Sequence, residues 1–247
     1  ATKTTGITVG IEQLDAIIPS FGENLTVSVG DTAYSNLKFI QGVQQHKDVV
    51  HIARLQSNRI INRKVIKKAL KITGRRSQGH ELWYGDEFSF KDESTWGAPD
   101  QTISVSFNTR KRKIFTAHIQ EWHDMLMRQK LGIPMNEYPF RVVRITVTDE
   151  NNNFVYKRPM WLMVSGSRRH ELGLIQIWES YKRRYDVEHF FKFGKSRLLI
   201  DKFQTPDVEH EESWWWIASL AAAQLYMARY LATNLPNPWE KYLPEMT

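Results

Sequence analysis

Tyr181-Lys-Arg-Arg-Tyr-Asp-Val-Glu-His-Phe-Phe-Lys-Phe-Gly-Lys195 sets one carboxylate, Glu188, among cations and aromatics on what the periodicity predicts to be a single helix. Steps of three, four and seven residues return to nearly the same side of an α-helix, so Tyr181, Arg184, Glu188 and Lys195 form one stripe. A carboxylate can ligate a divalent cation, Arg and Lys can hold phosphate oxygens, and Tyr can pack on or hydrogen-bond to a sugar or base. That combination suits metal-assisted phosphoryl transfer on nucleic acid. The plainer alternative is a solvated face on which Glu188 pairs with Arg184 one turn before it and Lys192 one turn after it.

The spacing Tyr-x2-Arg-x3-Glu-x6-Lys resembles, at all four positions, the signature of the insertion-sequence-4 family of DDE transposases. The resemblance implies an α/β fold with a ribonuclease-H-like core, in which Glu188 is the last of three metal-binding carboxylates and Tyr181, Arg184 and Lys195 contact the transposon end. It also implies Mg²⁺ or Mn²⁺ as cofactor and double-stranded DNA, both transposon ends and target, as partner. A homodimer stays open.

Composition agrees with a polyanionic partner. The 247 residues are 41% hydrophobic, enough for a buried core in one large domain or a domain with an insertion. The net charge is +7, and the cations cluster at Arg59–Lys71, Arg110–Lys113 and Tyr181–Lys195. There is no cysteine, which excludes disulfides, thiolate zinc sites and cysteine nucleophiles and fits a reducing compartment. No apolar run reaches membrane-spanning length and the first residues carry no signal-peptide pattern, so a soluble, cytoplasmic, nucleoid-associated protein without a membrane partner is expected. Other chemistries lack their motifs: no nucleophile elbow, no Gly-x4-Gly-Lys-Ser/Thr and no Gly-x-Gly-x-x-Gly occurs. The pairs His118 and His123, or His46 and His51, lack zinc-like partners and are expected to be structural or exposed.

Along the chain, apolar spacing predicts a helix over about residues 7–18, stopped by Pro19 and Gly22. Asn24-Leu-Thr-Val-Ser-Val-Gly-Asp31 alternates Leu25, Val27 and Val29 and reads as a buried strand that delivers Asp31 at its C-terminal tip, the edge where ligands gather in open α/β sheets. Asp31 could equally cap the segment that follows. A strand ending in Gly-Asp with an aromatic, Tyr34, three residues on is similar to the second catalytic carboxylate element of the same transposase family. Residues 34–45 read as a short helix and 48–55 as a strand, at whose end Arg54 is either surface charge or a phosphate contact. From Asn62 to His80 the sequence turns basic and then glycine-containing, and from about 81 to 164 the signal is mostly β, with Trp122–Leu131 ambiguous and Asn153–Val164 strand-like. Arg158-Pro-Met-Trp-Leu-Met-Val164 resembles the strand that precedes the glutamate helix in that family, where in some relatives a Trp stacks on a flipped base; Trp161 is placed among the DNA-binding residues on that resemblance and is otherwise a core residue. The signature helix lies within 172–200, and Glu211–Leu231, with three consecutive tryptophans, reads as a buried packing helix before an extended tail.

The expected organisation is therefore a first core segment at 1–60, a mainly β insertion at 61–160, and a second core segment at 161–247 carrying the glutamate helix. Two-metal phosphoryl transfer needs carboxylates from separate elements around cations roughly 4 Å apart. Asp31 and Glu188 supply two, and serving one site would bring them within about 4–7 Å of each other. The resemblance asks for a third, on a strand upstream of the first helix, for which Asp15, Asp48, Asp86, Asp92 and Asp149 are unsuitable by position. Missing upstream sequence is the expectation. The functional alternatives are a DNA endonuclease and strand transferase, or a catalytically incomplete transposase that binds DNA or inhibits a full-length copy.

Overall fold

The alternating run at Leu25, Val27 and Val29 does form a strand, β1 (Thr26–Gly30), and the nearly unbroken apolar run that follows forms β2 (Val49–Leu55). The computed structural model describes residues 5–65, 84–108, 113–128, 135–203 and 205–231. They belong to two compact units, Ala1–Lys182 and Arg183–Thr247. Most of the basic stretch after Asn62, the Arg110–Lys113 cluster except Lys113, and the proline-containing tail lie outside the described residues.

In the first unit β1 and β2 pair in parallel, Thr26 opposite Val49 and Gly30 opposite Ala53, joined across the face of the sheet by α2 (Leu37–Gln44). Asn36 caps α2 by accepting the Phe39 N–H at 3.0 Å, and Thr5 caps α1 (Gly6–Ile17) by accepting the Thr8 N–H at 3.3 Å. Phe39 and Val43 of α2 bury against Val49, with Ile7, Ile11 and Leu14 of α1 packed on them. The sheet continues from β2 with antiparallel strands only. The described strands β3 (Ile60–Lys64), β4 (Tyr84–Ser89), β5 (Gln101–Asn108), β6 (Ile114–Leu126), β7 (Phe140–Asp149) and β8 (Met160–Ser165) give the order β1-β2-β8-β7-β6-β3-β4, with β5 also on β6. The β-rich middle and the first two strands thus share one mixed sheet.

Each face of that sheet is covered. On one, Ala53, Leu55, Phe88, Phe90, Trp96, Trp122, Trp161 and Met163 form an aromatic-rich core. On the other, Val50, Ile52, Val143, Ile145, Leu162 and Val164 meet Leu174, Ile177, Trp178 and Tyr181 of α3 (Leu174–Lys182). Those four helical residues sit at the three- and four-residue spacing that makes one apolar stripe.

The second unit holds α4 (Arg184–Arg197) and α5 (Val208–Met227). The expected single helix is therefore two: Arg183 separates α3 from α4, and the Asp186 N–H turns back to the Arg183 carbonyl at 2.9 Å. The physical reason is the end of the apolar stripe at Tyr181. Of α4 only Gly194 is buried, so no apolar face holds the chain in the register of α3. The expected buried packing helix also differs. Within α5 the buried residues are Ala218 and Ala222, while Trp216 is 77% exposed. Small residues face α4, and the large ones are distributed around the helix without a common side.

Two further departures lie in the β region. The ambiguous 122–131 stretch extends β6 to Leu126, across a bulge between Trp122 and Met125 at which Asp124 has φ 50°. Asn153–Val164 is a strand only from Met160, because Pro159 has no N–H to pair and the chain before it bends away after a single bridge at Phe154.

Candidate functional site

Parallel pairing of β1 and β2 directs both C-terminal ends to one edge of the sheet, the edge at which α/β proteins collect ligands. Asp31 follows β1 there. Its backbone is extended, its Oδ1 accepts the Ala33 N–H at 2.8 Å, and it begins the 3₁₀ turn Thr32–Tyr34. The strand-tip position and the capping role thus coexist in one residue. The carboxylate is exposed, and its hard oxygens suit a divalent cation such as Mg²⁺ or Mn²⁺. Among the described residues no three His, Asp or Glu side chains are grouped so as to hold a metal by themselves.

Next to Asp31 opens a groove of about 720 Å³, lined by Thr32 from the Asp31 turn, Arg54–Asn58 from the end of β2, Phe90, Lys91, Arg158, Pro159 and Trp161. Arg54, Lys91 and Arg158 are all exposed, so three cations face solvent around one concavity. Phosphate groups are the natural ligand of such a cluster. Lys91 and Arg158 were not singled out by the sequence. Arg158 stood within the stretch Arg158–Val164, but nothing local marks either as a neighbour of Arg54.

Trp161 lies at the floor of this groove and is 1% exposed. Phe90 stacks on its ring at 4.3 Å between centroids and 7° between planes, and Trp96 and Trp122 approach at 5.1 and 5.9 Å. One ring face is thus occupied by protein. Trp161 shapes the groove as a core residue.

The four signature residues divide between the units. Tyr181 ends α3 and is 2% exposed within the core of the first unit. In the second unit, Arg184 opens α4 and donates from Nη1 to Oε1 of Glu188 at 2.7 Å, one turn along; its guanidinium also lies 4.7 Å from the Tyr185 ring centroid. Glu188 and Lys195 are exposed, and Lys195 stands in the last turn of α4. The Arg184–Glu188 pair is the plainer expectation for that face, and it also keeps a cation beside the carboxylate.

The histidines serve structure in the main. His46 meets Asp15 at 2.8 Å, and His118 bridges Ser104 and Thr148 at 3.0 and 3.1 Å. His51 is 1% exposed, and burial pulls its pKa from 6.5 down to about 4, outweighing its hydrogen bonds to Tyr34 and Ser28, which act upward. The folded protein therefore resists a proton that the unfolded chain accepts. Stability from this group is complete above pH 6.5, falls as pH drops toward 4, and levels below it. The loss over that window should be roughly 3 kcal/mol, at about 1.4 kcal/mol per unit. Urea unfolding at pH 7, 5.5 and 4 checks it, with a His51→Gln variant expected to flatten the dependence.

The model of the family described as Transposase DDE domain matches residues 2–224 of this chain, a span that contains both Asp31 and the four signature residues. No curated protein matches it.

Proposed function

We propose that this chain, which belongs to the transposase DDE domain family, cuts and joins transposon DNA ends by divalent-metal-dependent phosphoryl transfer, on a ribonuclease-H-like core of the insertion-sequence-4 type carrying a mainly β insertion. The observation that supports it best is the groove beside Asp31: three exposed cations, Arg54, Lys91 and Arg158, around the carboxyl edge of β1 and β2.

In this reading Asp31 and Glu188 are the carboxylates that would hold Mg²⁺ or Mn²⁺, which when bound activates the attacking oxygen and stabilises the leaving one. Arg54, Lys91 and Arg158 bind and orient backbone phosphates of double-stranded DNA, fixing its register without reading sequence. Arg184 and Lys195 contact transposon-end DNA from α4. Tyr181 acts from the core by setting where α3 ends. Trp161, held rigid by its aromatic neighbours, supports from beneath the groove in which the DNA lies. The protein works at the nucleoid.

Incubating the full chain with supercoiled plasmid and Mn²⁺ tests the proposal: nicking that disappears on chelation supports it, and tight, salt-dependent binding without nicking assigns a non-catalytic DNA-binding role instead. Binding itself carries a further expectation. Each lost phosphate contact releases one counterion fewer, so Arg54→Ala, Arg184→Ala and Lys195→Ala should each lower the slope of log K against log salt by about one. Fluorescence anisotropy with a generic duplex across a salt series measures this. An unchanged slope in a folded variant removes that residue from the DNA-binding set.

A further inference from the structure

Asp31 projects from a turn, and a turn of three residues does not by itself hold a carboxylate in one orientation. What holds this one is visible behind it. His51, on the neighbouring strand β2, reaches across to the β1 side with Nδ1 3.2 Å from the Ser28 hydroxyl and Nε2 3.3 Å from the carbonyl oxygen of Tyr34, the last residue of the Asp31 turn. A carbonyl can only accept, so Nε2 carries the proton and donates it, and Nδ1 accepts from the Ser28 O–H. The imidazole is thus a two-ended bridge from the strand to the far end of the turn. It is held in a single tautomer by the chemistry of its partners.

The surroundings leave the bridge no slack. The His51 ring lies 4.6 Å from the Phe39 ring, which packs edge-on against Tyr34 at 5.0 Å. A Cβ on Gly30 would stand 2.8 Å from Tyr34 Cβ and 3.0 Å from His51 Cε1, so only glycine allows the turn to fold back this tightly directly before Asp31. Within the turn, the Tyr34 N–H reaches the Asp31 carbonyl at 3.3 Å and the Ala33 N–H reaches the Asp31 carboxylate at 2.8 Å. Fixing the Tyr34 carbonyl therefore anchors the far end of the same short turn whose Ala33 N–H orients the Asp31 side chain. Burial keeps the ring neutral at physiological pH, the form in which both bonds exist as described.

We propose that His51 is a positioning residue for Asp31, a neutral bridge between Ser28 and the Tyr34 carbonyl that presets the carboxylate for a divalent cation. The proposal rests on Asp31 being a metal-binding carboxylate, as argued above. Outer-shell groups of this kind commonly change metal affinity by 10- to 100-fold when lost. Because His51 acts through a turn and not on the carboxylate itself, an effect at the lower end, roughly tenfold, is expected.

The test uses the full chain and Mn²⁺ alone, with binding followed by electron paramagnetic resonance of the free ion, and backbone amide exchange as a second readout. His51→Leu should weaken Mn²⁺ binding roughly tenfold and speed exchange of the Tyr34 and Ser35 amides, while the amides of β2 stay protected. His51→Gln can donate to the Tyr34 carbonyl from its amide nitrogen and accept from Ser28 with its oxygen, so it should recover most of the affinity and the protection. That rescue separates positioning from mere packing, since Leu and Gln fill the space about equally. If His51→Leu does not fold, Ser28→Ala supplies the comparison, with a smaller shift in the same direction. Unchanged Mn²⁺ affinity in folded His51→Leu, with wild-type binding that depends on Asp31, overturns the proposal. Wild-type Mn²⁺ binding that survives Asp31→Asn overturns the assignment of Asp31 instead, and the exchange rates then still decide whether His51 holds the turn.

Discussion

Replacing Asp31 by Asn is expected to lower Mn²⁺-dependent DNA cleavage by on the order of 10³-fold, about 4 kcal/mol in the barrier, while the thermal midpoint stays where it is. The separation is possible because the proposed function gives Asp31, beside its capping role, a second job that needs different chemistry. As the cap of its turn it needs only an oxygen that accepts the Ala33 N–H, and Asn supplies one about as well as Asp. As a cation ligand it needs the negative charge, which Asn lacks. Asp31→Ala should lose both, adding about 1 kcal/mol of destabilisation to the same loss of cleavage. Glu188→Gln makes the matching case on α4: it keeps a side-chain oxygen within reach of Arg184 but removes the charge, so cleavage should fall comparably with the helix intact. Plasmid nicking and circular-dichroism melting, run on the same preparations, measure both quantities. Cleavage within a few-fold of wild type in folded Asp31→Asn would remove this residue from the catalytic set.

The largest effect on stability should come from a residue far from any of these. Arg141 of β7 is 3% exposed and donates from Nε to Glu121 of β6, itself 1% exposed, at 2.8 Å; Nη2 donates to the same carboxylate. Its Nη1 donates to the carbonyls of Arg169 and Leu172 at 2.6 and 2.8 Å, the segment that leads into α3. Arg141→Ala would leave the Glu121 carboxylate and two carbonyls buried without their donor. Removing one partner of a buried pair costs about 3–5 kcal/mol. His123 Nε2 stands 3.1 Å from the other oxygen of Glu121 but makes no hydrogen bond to it, so the carboxylate keeps no donor in place of the guanidinium. A urea midpoint within error of wild type would show that water replaces the guanidinium. Replacing both partners, Glu121→Leu with Arg141→Met, should recover only part of the loss, because the carbonyls of Arg169 and Leu172 stay unsatisfied.

Much of the site was written in short stretches. Gly30-Asp31 at the end of an alternating run, and the spacing from Tyr181 to Lys195, are local patterns, since a strand's period and a helix's turn relate residues only a few positions apart. For that reason β1, β2, α1 and α2 stand close to where periodicity predicts them. The break at Arg183 was not legible. The pattern of charges and aromatics runs straight across it, and only the meeting of Tyr181 with the sheet shows where the apolar stripe stops. Nor could the sequence show that Arg54 has Lys91 and Arg158 for neighbours.

The chain's own sequence determined its family, its basic character and the place of its first two strands, and it pointed to Asp31 and Glu188 as the carboxylates to propose for chemistry. Tertiary structure alone decided that Trp161 is sealed under Phe90, that His51 bridges the Asp31 turn, and that Glu121 is buried with Arg141. Each of these depends on residues brought together from distant strands. Burial, unlike periodicity, is a property of everything that surrounds a side chain, so no window of sequence contains it.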